Sequence, residues 1–208
     1  MIKQKDTKGY SETSLTFISQ LNKCFSSWEE ETENFNEIWD NWFLEQSIEA
    51  HADYGGEWAG SGTLDYNEAR VFYTLLRKLK PQKVLEIGVA QGISGGLIRE
   101  ALSKDSQFDG IDIKVPHRMC TKYKEYLENE SISFYKGDAI EFVKNSEDEY
   151  DLIFVDADHR QIFCYAIAKE IKKKYPKATI VYHEWSFSVN AEEEELKFIS
   201  RPEWIKQF

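Results

Sequence analysis

From Pro81 onward the chain alternates short apolar runs with amphipathic stretches, and this texture constrains its fold more than any other feature. KVLEIGV, FDGIDI, SISFYKGD, YDLIFVDA and ATIVYHEW read as five strands. GISGGLIREAL, a polar stretch over 119–129, residues 139–145 and residues 161–174 read as the helices between them. Strands separated by helices, each apolar enough to be covered on both faces, predict an α/β fold with a doubly wound, mostly parallel sheet.

The region before Pro81 has another character. Residues 11–24 carry an apolar stripe at Leu15, Phe17, Ile18, Leu21 and Cys24. Phe35, Ile38, Trp39, Trp42 and Phe43 recur at helical spacing, with acids near the start of that segment where a helix dipole favours them. The plain reading of this aromatic stripe is core packing; a substrate lid or a homo-oligomer interface would use the same pattern. Residues 51–62 (HADYGGEWAGSG) hold four glycines and read as a loop. Thr63 or Asp65 then caps a helix from about Tyr66 to Leu79, stopped by Pro81. The division expected is residues 1–60, helical and aromatic-rich with the glycine loop, followed by a sheet domain over 61–208.

Charge and cysteine usage narrow the partners. The 208 residues include 37 acids against 26 Lys and Arg, a formal charge of −11. Such a chain is a poor match for a phosphate backbone, so no nucleic-acid partner is expected. Cys24, Cys120 and Cys164 form no CxxC pair, which fits buried thiols in a reducing cytoplasm. No apolar run reaches the length of a membrane span or signal peptide.

The segment Val84-Leu85-Glu86-Ile87-Gly88-Val89-Ala90-Gln91-Gly92-Ile93-Ser94 lies where the first strand of such a sheet turns into its helix, the position at which these folds bind nucleotides. Glycines at 88 and 92 permit a tight turn and a close approach of backbone to ligand. The spacing is G-x-x-x-G and not the G-x-G-x-x-G that seats a dinucleotide pyrophosphate. Glu86, just before the first glycine, suits a cationic ligand and repels a diphosphate. That favours S-adenosylmethionine over NAD. Asp112 ends the second strand, where a carboxylate can accept from ribose hydroxyls. Asp138 and Ala139 follow the third, placed to meet an adenine edge.

With VLEIGVAQG, GIDI, YKGDA, LIFVDADH and IVYHE in order over residues 60–185, the chain resembles the class I S-adenosylmethionine-dependent methyltransferases. The resemblance places Glu86, Gly88, Gly92, Ser94, Asp112, Asp138, Ala139 and Asp156 around that cofactor. The clusters Asp156-Ala157-Asp158-His159 and His183-Glu184 make it similar, within that class, to the metal-dependent O-methyltransferases of sugars and natural products, the macrocin and mycinamicin group with the cephalosporin-hydroxylase-like proteins. The resemblance implies a divalent ion, magnesium or manganese, on Asp156, His183 and Glu184. It also implies His159 as general base. His183 departs from the pattern, which has an acid there; magnesium prefers oxygen donors. Asp158 has a plainer reading as a cap of the following helix.

The chemistry expected is O-methylation of a small molecule or saccharide, since an alcohol needs a base or a cation before it attacks. Alternatives are methylation of nitrogen or a macromolecule, a catalytically degenerate fold serving as a binding or scaffold protein, and a nicotinamide or nucleotide-sugar enzyme. Residues 185–208 are few for the helix and antiparallel hairpin that usually follow the fifth strand, so either a shortened C-terminal edge or a truncated chain is expected.

Overall fold

The structure is a computed structural model that describes residues 28–53, 64–115, 119–158 and 160–183. The stripe at 11–24, most of the glycine-rich loop, His117, His159, Glu184 and the C-terminal edge lie outside the described residues.

Helix α1 (Trp28–Ile38) runs through one π-helical turn (Trp39–Phe43) into α2 (Leu44–Asp53). The helix continues past His51, where the sequence reading began the loop. Then follow α3 (Tyr66–Leu79), β1 (Lys83–Ile87), α4 (Ile93–Ala101), β2 (Gln107–Asp112), α5 (Thr121–Glu128) and β3 (Ser133–Lys136). Next come α6 (Ala139–Asn145), β4 (Leu152–Val155), α7 (Gln161–Lys174) and β5 (Thr179–Tyr182). Among the described residues all pairings are parallel and the strand order is β3-β2-β1-β4-β5. The chain direction across the sheet reverses between β1 and β4, and their carboxyl ends flank the crevice where such sheets bind ligands.

Alternation along β1 divides the interior into two layers. Val84 faces one core, shared with Phe72, Leu76, Leu97, Phe108 and Tyr123 from α3, α4, β2 and α5. Leu85 and Ile87 face the other, with Val143, Ile167 and Ile171 from α6 and α7. The N-terminal aromatic stripe belongs to the first of these. Phe35 and Phe43 are fully buried, Phe35 lies 5.8 Å centroid to centroid from Tyr73, and Trp39 meets Tyr66 edge-on at 4.9 Å. Each fully buried ring contributes about 1.5–3 kcal/mol, enough to hold α1 and the π turn against α3.

Helix α3 starts in a capping box. Asp65 accepts from the amides of Asn67 and Glu68, and Glu68 Oε2 accepts from the Asp65 amide at 2.9 Å. One expectation for the sheet fails at its edge. Ser133, Tyr135 and Lys136 of β3 are exposed, because an edge strand has only one neighbour and here only Tyr135 finds an aromatic partner, Phe142 at 5.0 Å.

The amino ends of the strands are closed by ion pairs. Asp151 Oδ2 accepts from the amides of Gln82 and Lys83 at 2.7 and 3.0 Å. Lys83 Nζ reaches Asp148 at 2.6 Å and Asp109 at 3.6 Å, and Tyr150 donates to Asp109 at 2.8 Å. No helix among the described residues is long and apolar enough to cross a membrane.

Candidate active site

The loop after β1 is built on two left-handed glycines, Gly88 at φ 91° and Gly92 at φ 80°, with Ala90 at φ 46° between them. Both glycines are also required by the chain's own packing. A Cβ on Gly88 would lie 2.2 Å from the Asp156 carbonyl oxygen, and one on Gly92 would lie 2.5 Å from the Tyr123 ring. Their bareness lets the loop nest against β4 and α5. Tyr123, fully buried, also fills the space that side chains on Gly95 and Gly110 would take.

Asp112 ends β2 and holds the loop. Its Oδ2 accepts from the amides of Val89 and Ala90 at 3.0 and 2.9 Å, and Oδ1 accepts from the Lys114 amide at 3.0 Å. Asp138 caps α6 by accepting from the Glu141 amide at 2.9 Å, which leaves Ala139 as the first residue of that helix. Helix α4, by contrast, opens at Gly92 with no side-chain cap on its first-turn amides. Such amides favour an anion.

Glu86, expected to suit a cationic ligand, lies beneath the loop. It sits one residue inside the end of β1, paired across to Gly110, and is fully buried in the layer toward α4. Ser94 Oγ donates to Oε1 at 2.5 Å, while Oε2 is buried with no hydrogen-bond partner. Burial pushes its carboxyl well above the usual carboxylate range, against the pull of Ser94. The acid therefore does not stand at the crevice rim. It is a buried, half-satisfied acceptor beneath the loop.

Asp156 directly follows β4, and its amide donates to the Ile87 carbonyl at 2.8 Å. Its Oδ1 lies 2.9 Å from His183 Nδ1. His183 directly follows β5 with a side chain only 5% exposed, and its Nε2 lies 3.4 Å from Glu68 Oε2. Burial alone would lower the imidazole, but the bonds to Asp156 and Glu68 outweigh it and raise its pKa to about 10. Glu68 is lowered in turn, chiefly by its bond to His183. Both ring nitrogens of His183 face carboxylate oxygens, so two of the three expected ligands, Asp156 and His183, lie together beyond the ends of β4 and β5, while Glu184 lies outside the described residues. Among the described residues no group of three His, Cys, Asp or Glu is arranged to hold a metal ion.

Asp158 pairs with the Arg160 side chain and accepts from its amide at 3.0 Å; it does not cap α7 as expected, because that helix opens at Arg160 with no side-chain cap. Sequence reasoning missed Glu68. Its signal was the D-x-x-E capping box at 65–68, which places a glutamate at the start of a helix but does not say which strand end that helix faces.

The family model described as O-methyltransferase matches residues 55–197. The chain belongs to this O-methyltransferase family.

Solved methyltransferases share the fold. An O-methyltransferase from Bacillus cereus in complex with SAH superposes with a TM-score of 0.59 at 16% identity, covering 87% of this chain and 88% of that one. TomG from Streptomyces achromogenes, an O-methyltransferase involved in tomaymycin synthesis and solved with SAM, gives 0.52 at 15% identity over 87% and 86%. Among curated proteins, the polyamine aminopropyltransferase of Streptococcus pneumoniae is 32% identical over 100 residues, and that of Bacillus cereus 30% over 99. Each match takes in 44% of the methyltransferase chain but only about a third of the relative, 34% and 35%.

Proposed function

We propose that this chain is an S-adenosylmethionine-dependent methyltransferase acting on a hydroxyl of a small molecule or saccharide. The observation that carries the reading is the β1–α4 loop, two left-handed glycines tethered through the Val89 and Ala90 amides to Asp112, at the point where the sheet order reverses. The residues present fit the cofactor. The uncapped first turn of α4 suits its carboxylate, and the unpartnered Glu86 Oε2 provides an acceptor below the loop for its amino-acid end. Asp112 is assigned to the ribose, and Asp138 with the Ala139 amide to the adenine.

When bound, the cofactor supplies a methyl group on a sulfonium, ready for transfer to an oxygen in line with it. The chain's own work is to orient and deprotonate that oxygen, an arrangement in which positioning supplies much of the rate. His159, three residues after Asp156, is assigned to take the hydroxyl proton; an unperturbed imidazole titrates near ~6.5, suited to that task at neutral pH. The acidic surface disfavours nucleic acid, and the free thiols of Cys120 and Cys164 suit a reducing cytoplasm.

Calorimetry tests the cofactor. S-adenosylhomocysteine is expected to bind and to raise the melting temperature by mass action. Asp112→Ala removes charge-assisted hydrogen bonds and is expected to weaken binding by about 10–100-fold. Stabilisation by NAD or a nucleotide sugar, with none by S-adenosylhomocysteine, overturns the reading. Transfer to amines and never to hydroxyls overturns its acceptor half and favours a chemistry nearer the curated relatives.

A further inference from the structure

The geometry points to Gln46 as a positioning residue for the cofactor loop, acting from the N-terminal helical segment through the start of α5. The inference rests on the methyl-transfer reading for what that loop binds.

One donor of α5 is met from outside the helix. The first amides of any helix have no partner within it. Cys120 caps α5, its Sγ accepting from the Tyr123 amide at 3.4 Å. The Thr121 amide instead donates to Gln46 Oε1 of α2 at 2.8 Å. Gln46 Nε2 donates in turn to Glu49 Oε2 at 3.3 Å. A backbone N–H needs an acceptor and a carboxylate needs a donor, so the two contacts together fix which end of the Gln46 amide faces α5.

The same turn of α5 holds the loop. The Cys120 amide donates to the Gln91 carbonyl at 2.8 Å, and its thiol to the Gly92 carbonyl at 3.3 Å. Gln46 and the β1–α4 loop thus grip neighbouring residues, 121 and 120. Trp42 adds a second contact from the same segment. A Cβ on Gly96, in the first turn of α4, would lie 2.8 Å from the Trp42 ring. Trp42 and Gln46 are four residues apart, the spacing that places side chains on one helix face. The π turn that holds Trp42 takes one residue more than an α turn and so re-aims the helix after it. The segment therefore braces α4, whose uncapped first turn is assigned to the cofactor carboxylate, together with the start of α5. Gln46 acts on the cofactor only through Thr121 and Cys120.

The test uses the full chain and hydrogen exchange read by mass spectrometry, without cofactor. Gln46→Ala removes the acceptor, and Thr121→Pro removes the donor while leaving α2 untouched. Proline suits the first helical position, and Cys120 before it, at φ −62° and ψ 150°, already has the extended backbone that a following proline requires. In both variants the amides over 89–96 are expected to exchange about 2–10-fold faster than in the wild type, the worth of one hydrogen bond, with those of β4 unchanged. Combining the two substitutions should add nothing, because both delete one bond. Gln46→Glu keeps an oxygen acceptor and is expected to retain wild-type rates. S-adenosylhomocysteine affinity should fall by about 2–10-fold in Gln46→Ala and Thr121→Pro and stay at the wild-type level in Gln46→Glu. Unchanged exchange over 89–96 in both variants overturns the proposal. Equal acceleration of β4, the mark of general destabilisation, overturns it too. Faster loop exchange with no loss of affinity removes the positioning role. If the wild type binds no S-adenosylhomocysteine, the methyl-transfer reading falls and the exchange rates alone judge the brace.

Discussion

The two ends of the sheet carry the same residue types to different ends. At the amino ends, Asp151 takes two backbone amides, and Asp109 and Asp148 share Lys83, with Tyr150 closing the group. These acids meet fixed partners inside the chain. At the carboxyl ends, Asp112 holds loop amides, Asp156 holds a histidine, and Glu86 keeps one buried oxygen without a partner. An acid at a strand end thus becomes a site residue through its surroundings, here a loop in left-handed geometry and a helix start without a cap. Its identity alone does not decide the matter.

The largest effect should come from the carboxyl end. His159→Ala is expected to lower turnover by ~10²–10⁴-fold, the usual worth of a general base, with S-adenosylhomocysteine affinity nearly unchanged. Wild-type turnover in that variant would remove His159 from the reaction. Next is Gly88→Val. Its Cβ would meet the Asp156 carbonyl oxygen at 2.2 Å from a backbone at φ 91°. Backbone strain and overpacking together should cost about 2–6 kcal/mol in chemical denaturation, and the thermal shift from S-adenosylhomocysteine should disappear. A variant as stable as the wild type would show that the loop does not nest against β4.

The amino end predicts the opposite signature. Asp109→Ala leaves the buried Tyr150 hydroxyl without its acceptor and should cost about 1–3 kcal/mol of stability. Its S-adenosylhomocysteine affinity should match the wild type; a matching loss of affinity would erase the contrast between the two ends.

The smallest effect is one of pH. His183 has a folded pKa near 10, above its unfolded value of 6.5. The folded state therefore binds the extra proton, so this group's stabilisation is complete below the unfolded value and is lost as pH rises toward and through 10. Melting temperature should fall across that alkaline window, and His183→Gln should flatten the fall. An equal slope in both proteins would mean that the ring is not held by its carboxylates.

Much of this was legible before any coordinates. Apolar runs around KVLEIG and DLIFVD dictate buried parallel strands, and the switch point follows from their order. Asp65 as a cap and the acids 112, 138 and 156 after their strands follow from local pattern as well. The rest depends on side-chain direction. Alternation along β1 turns Glu86 inward with Val84, and its burial shows only in the fold. The bridge from Glu68 to His183 joins residues far apart in the chain, and no spacing rule links a helix cap to a strand end. The bare Gly88 and Gly92 answer to Asp156 and Tyr123, partners that sequence order does not reveal.

Tyr123 has a consequence for how the crevice responds to change. One ring from α5 occupies the room forgone by Gly92 and Gly95 around the start of α4 and by Gly110 in β2. The Cys120 amide donates to the Gln91 carbonyl at 2.8 Å, and its thiol donates to the Gly92 carbonyl at 3.3 Å. Helix α5 and the loop are therefore fastened together, like a latch and its keeper. These glycines are not three independent positions but one shape written across two elements, and a larger residue at any of them calls for a smaller one at 123.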